Sequence, residues 1–228
     1  FFLLIMVSGI IIGQEGNNPG YGNISTTYTV NLVHSNLKYE KNRFYSKNWL
    51  SGILVITKDK KIYKQKINYD LINGEIHVTP PNSTKGFIVL DKRITGFILK
   101  TSKGEIYFSR IDNENFINNN INREFFITPM KSINNQLLII DYRRVLNDSE
   151  VPRDGFSDIS NLKKYKDRTH YYILNSKNKY VKIKLKKKHL LQVYSDKKEE
   201  LINFIKTKKL KPKKIGDAIK IVNYYHSL

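Results

Sequence analysis

Apolar and polar residues follow two different periods along this chain, and the change of period divides it. From Thr26 to Phe108 the signals are those of strands: Tyr28, Val30 and Leu32 alternate with Thr27, Thr29 and Asn31, the period of a half-buried strand. The run Trp49 to Thr57, a charged turn at Lys58 to Lys61 and a second run from Ile62 to Ile67 predict a hairpin. Asn73-Gly74 predicts a tight turn, because both residues tolerate positive φ, and Glu75 to Thr79 resumes the extended pattern until Pro80 and Pro81 stop it. Phe87 to Leu90, Ile94 to Lys100 and Glu105 to Arg110 add three short strands, the last two joined by Ser102 to Gly104. Strands connected this closely are antiparallel, since a parallel crossover needs roughly a dozen residues.

Asp112 to Arg123 reads as a polar loop, and Phe125 to Ile127 with Gln136 to Tyr142 forms a further strand pair around Asn134-Asn135. Asn147 to Arg168 has turn residues and no sustained period, which predicts a surface connection. Beyond it come Tyr171 to Leu174, a turn at Asn175 to Lys179, and a strand from Tyr180 to Leu185. In that strand Val181, Ile183 and Leu185 are expected inward and Tyr180, Lys182 and Lys184 outward.

The helical period then takes over. Lys187 to Tyr194 predicts a short helix, and Asp196 with Glu199 has the spacing of a capping box before Leu201, Ile202, Phe204 and Ile205. After Pro212 a last helix presents Ile215, Ala218, Ile219, Val222 and Tyr225 along one side. The expected fold class is α+β: a mostly antiparallel β meander, as an open sandwich or partly closed barrel, capped by a C-terminal hairpin and two to three helices. The expected organisation is a β-rich domain over 15–150, a connecting loop over 151–170, and the hairpin and helices over 171–228.

Phe1 to Gly13 reads FFLLIMVSGIIIG, short of the roughly 20 apolar residues that span a bilayer and suited to the central region of a signal peptide. Residues 1–14 are therefore expected to be an export signal, truncated at its start, leaving no transmembrane span in the mature chain. Hydrophobic residues make up 40% of the 228, enough for a core without disulfides or metal. The absence of cysteine excludes disulfide frameworks, thiolate zinc sites and thiol nucleophiles. A net charge of +20 points toward a polyanion or an anionic surface, although the joint richness in Lys, Asn and Ile is also what AT-rich coding produces.

The export signal, Trp49-Leu50-Ser51-Gly52, Ile67-Asn68-Tyr69-Asp70, and Asn223-Tyr224-Tyr225 after a Lys-rich helix pair together give a layout that resembles a broad set of small exported proteins of the Bacteroidetes. The resemblance implies an envelope location, in the periplasm or beyond it. It brings no activity and no catalytic residue.

Candidate chemistry is sparse. No P-loop, GxGxxG or GxSxG motif is present, and His34, His77, His170, His189 and His226 form no HExxH pair. Glu75 and His77 share a strand face, but a metal needs further ligands, so no metal and no cofactor are expected. Asp112 to Asn115 lacks the glycine and closing glutamate of a calcium loop. Arg143-Arg144 at a strand end could meet an anion, but a strand end on the surface is the commoner place for such a pair.

The lysine-rich tract is the functional candidate: Lys182, Lys184, Lys186, Lys187 and Lys188, with Tyr180 among them, and Lys206 to Lys214 between the last helices. Interleaved aromatics suit single-stranded nucleic acid, and two helices about a basic turn suit a helix-turn-helix. Export, the preference for Lys over Arg, and the inward amphipathic face of the last helix all disfavour nucleic acid. The expected function is that of a non-enzymatic exported envelope protein, binding or structural, with an anionic envelope surface or polyanion as partner. An exported hydrolase with an unpatterned site is the alternative, and nucleic-acid binding comes third.

Overall fold

The computed structural model describes residues 32–34, 41–57, 60–79, 86–118, 120–129, 136–146 and 165–228. The expected export signal at 1–14 lies outside them, as do the residues from 147 to 164. Chain contacts divide the protein into two compact units, one ending at Gly104 and one beginning at Glu105. Both are β-rich, every described strand pairing within them is antiparallel, and the protein is of the α+β class.

The first unit contains β1 (Leu32–His34), β2 (Leu50–Thr57), β3 (Lys60–Asp70), β4 (Glu75–Thr79), β5 (Phe87–Val89) and β6 (Gly96–Thr101). Their order in the sheet is β1-β5-β4-β3-β2-β6. The β3–β4 turn falls at Asn73-Gly74 as expected, with Gly74 at φ 78°, and it sets Asp70 opposite Glu75 and Asn68 opposite His77. Beyond Ile67, where β2 no longer pairs with β3, the segment 43–45 takes over that edge: the Tyr45 amide donates to Tyr69 O and the Leu71 amide to Arg43 O.

Leu54, Val55 and Ile56 are buried in succession, as are Phe97, Ile98 and Leu99, so β2 and β6 are covered on both faces there. Gly52 explains part of the Trp49 to Gly52 signature. A Cβ there would lie 2.7 Å from the Ile98 carbonyl oxygen and 2.8 Å from Ile67 Cδ1, closer than atoms pack.

The second unit contains β7 (Gly104–Arg110), β8 (Phe125–Ile127), β9 (Leu138–Leu146), β10 (Tyr165–Leu174) and β11 (Tyr180–Ile183), in that order across the sheet. Three helices follow: α1 (Lys187–Val193), α2 (Lys198–Thr207) and α3 (Ile215–Tyr225). Leu138, Ile173 and Ile183 on one face of β9–β11 bury against Leu190, Leu191, Leu201, Ile205, Ala218, Ile221 and Val222. On the opposite face Ile139, Tyr172 and Tyr180 join Ile111, Phe116 and Phe126 in a second, aromatic cluster. Among the described residues no helix is long and apolar enough to cross a membrane.

Several local expectations change. Tyr165 to Arg168, expected in the connecting loop, is strand, because β9 runs on to Leu146 and offers it a ladder. Arg143 and Arg144 therefore lie within a strand and not at its end. The Asp196–Glu199 capping box does not form: α2 starts after a 3-10 turn at Ser195–Lys197, its N-cap is Lys197, and Asp196 Oδ2 instead accepts the Tyr225 hydroxyl at 2.9 Å.

Candidate functional site

β11 and its exit position the lysine candidates. Lys182 and Lys184 are exposed, as are Lys186, Lys187 and Lys188 at the start of α1, and none of the five makes an ion pair among the described residues. Ile183 between the first two is buried under the helices, so the alternation holds at these positions. Tyr180 does not belong to this face. It is buried, its ring lies 5.2 Å from that of Phe116, and its hydroxyl donates to Gln136 O at 2.8 Å. The outward face of β11 is covered at this end by the aromatic cluster, which also drives the Tyr180 hydroxyl well above its ordinary pKa by desolvation. No base could stack on it.

The register extends the cationic face across the sheet. Lys182 pairs with Tyr172, and two residues apart along β10 on that same face stand His170, Arg168 and Lys166, the last two exposed. Arg168 faces Arg143 directly across the β9–β10 ladder. Like charges so placed repel each other, so the arrangement contributes nothing to folding by itself. Asp141, buried, is the carboxylate of this stretch; Arg143 Nε donates to its Oδ2 at 2.8 Å, and His170 Nδ1 lies 3.3 Å away. On the other face Arg144 Nε donates to Asp167 Oδ1 at 2.6 Å, and the Tyr142 hydroxyl donates to Asp167 Oδ2. Burial, then the Asp167 bond, pushes Tyr142 up to about 12, while Arg144 holds Asp167 below the usual carboxylate range. Arg143 and Arg144 are thus each engaged with a carboxylate.

Lys206, Lys208, Lys209, Lys211, Lys213 and Lys214 are exposed around the α2–α3 connection. That connection is tied down by the Lys211 amide donating to Asp217 Oδ2 at 2.9 Å. Helix α3 buries Ala218, Ile221, Val222 and Tyr225 against the unit's own core.

A second polar constellation, in the first unit, forms around the Asn73-Gly74 turn. Asp70 is fully buried; its Oδ2 accepts Arg43 Nε at 2.8 Å and Nη2 at 2.6 Å, and its Oδ1 accepts the amides of Ile72 and Asn73 at 2.8 and 3.1 Å. His77 is 1% exposed, stands edge-on to Phe44, and points Nε2 to within 3.5 Å of Glu75 Oε2. Burial lowers its pKa, against the opposing pull of Asp70 and Glu75. The strand period shows the Glu75–His77 couple in the sequence. Asp70 and Arg43 join it only through the hairpin register and the 43–45 edge, although the Asn-Gly turn beside Asp70 was the available signal.

The fold and these two constellations define a β-rich α+β protein with a basic C-terminal unit. No family model, no curated protein and no solved structure matches the chain.

Proposed function

We propose that this is an exported, non-enzymatic protein of the cell envelope that contacts an anionic surface or polyanion through Lys182, Lys184, Lys186, Lys187 and Lys188. One observation supports it above the others: among the described residues these exposed lysines lack ion-pair partners, and they continue into Arg168 and Lys166 across the sheet. Ammonium groups on flexible stems suit a diffuse anionic surface better than base-edge readout, which favours the fork of arginine. Envelope residence rests on the export signal and on the resemblance to exported Bacteroidetes proteins.

Each lysine close to an acidic surface is worth roughly 1 kcal/mol, so reversing three charges together lowers affinity by roughly 100-fold or more. The test is retention on heparin and co-sedimentation with phosphatidylglycerol vesicles, for the parent chain and for the combined Lys182→Glu, Lys184→Glu and Lys186→Glu variant. Salt-sensitive binding that the variant loses is expected. Binding indifferent to these charges overturns the proposal. Cell fractionation tests residence separately, and a cytoplasmic protein retaining residues 1–13 refutes export.

A further inference from the structure

We infer that Asp70, Glu75 and His77 form a binding site for a divalent transition-metal ion of the zinc type. One ligand atom from each of the three lies within 4.8 Å of the other two. The donors are one imidazole nitrogen and two carboxylates, the set that borderline ions accept and that magnesium or calcium, with their all-oxygen shells, do not select.

An independent observation points to a ligand here. Among the described residues His77 Nε2 is buried without a hydrogen-bond partner, and it faces two carboxylates. A neutral imidazole with its lone pair on Nε2 is repelled by carboxylate oxygens; with its proton there, it finds Glu75 Oε2 at 3.5 Å, too far for a good bond. A cation between the three groups gives His77 Nε2 the partner it lacks and meets the negative charge of Glu75 and Asp70.

The local structure divides the roles. Asp70 is held by Arg43 and by the two turn amides, which fix the carboxylate as outer-sphere partners do in metal sites. Arg43 also offsets one of the two negative charges, so the unloaded cluster is tolerable inside the fold. Glu75, 35% exposed in its side chain, lies at the entry and can swing inward, shortening the donor separations toward the roughly 3.3 Å of a tetrahedral shell. Solvent completes the coordination.

The experiment is calorimetric titration of the full chain with zinc, and with cobalt followed by its visible absorption, with magnesium as control. One zinc per chain and the intense bands of tetrahedral cobalt are expected, with no response to magnesium. Glu75→Gln, at a half-exposed position that leaves the fold intact, should weaken zinc by at least the roughly 10- to 100-fold seen when even an outer partner of a metal site is lost. His77→Gln should abolish the cobalt bands, whereas His189→Gln and His226→Gln should leave them unchanged. No binding by the parent chain at roughly 100 µM zinc, or equal affinity in the Glu75→Gln protein, overturns the inference.

Discussion

Asp70 holds two structures together at once, and substitutions can separate them. Its Oδ2 is joined to Arg43, only 11% exposed in its side chain, while its Oδ1 closes the β3–β4 turn by accepting two backbone amides. Asp70→Asn keeps an oxygen for the amides and removes the charge, leaving a largely buried guanidinium unpaired. Breaking such a pair from one side costs about 3–5 kcal/mol, and the small exposure of Arg43 places the expected loss near 3. Asp70→Ala also removes both turn bonds, at about 1 kcal/mol each, so its loss should approach 5 kcal/mol. The double variant Arg43→Met with Asp70→Asn should recover about 2 kcal/mol relative to the sum of the singles, since no buried charge is then left alone. Urea unfolding followed by fluorescence measures this in the right place: the chain's single tryptophan, Trp49, lies in the first unit, 3.3 Å from the position of a Cβ on Gly86. A loss below about 1 kcal/mol for Asp70→Asn would mark the pair as no stronger than a surface one and refute the reasoning. Equal losses for Asn and Ala would remove the turn from the account.

Other outcomes follow from the same structure. Stability of the first unit should fall as pH drops below about 6.5, because the unfolded His77 then takes up a proton that the native one, facing Asp70, Glu75 and Arg43 with its pKa lowered by burial, resists; the fall should level off below the native pKa and vanish in His77→Gln. Gly52→Ala should cost about 1–3 kcal/mol in urea unfolding, because the Ile98 backbone cannot yield to the added methyl group. Tyr225→Phe, which removes the donor to Asp196 and leaves the ring stacked 3.8 Å from Tyr194, should cost about 1.5–3 kcal/mol in the second unit, read by tyrosine near-UV dichroism. Ile221→Ala, at a fully buried position beneath the helices, should cost about 2–5 kcal/mol by the same readout.

The period of apolar residues determined much of this protein. Alternation and turn dipeptides located most of the described strands, since side chains on a pleat must face opposite ways and Asn-Gly alone suits the β3–β4 turn. The i, i+3, i+4 pattern located the three helices; of the side expected for α3, Ala218, Val222 and Tyr225 are buried, Ile215 and Ile219 are half-buried, and the buried Ile221 lay outside the pattern. Lys182 and Lys184 face solvent as the alternation around Ile183 requires.

Tertiary structure decided whatever depended on a second surface. Tyr180 alternates with Val181 like an outward residue, yet Phe116 and Tyr172 cover it, because a local period cannot show that both faces of a sheet are occupied. Asp196 has the spacing of a cap, but Tyr225, far along the chain, donates to it. Glu75 and His77 are neighbours by strand period alone; only register across the hairpin places Asp70 beside them, and only the 43–45 edge supplies Arg43. Spacing records what one strand or helix can present. Which long-range partner meets it is set by packing, and at the polar cluster that partner changes a surface couple into a buried, charge-bearing site.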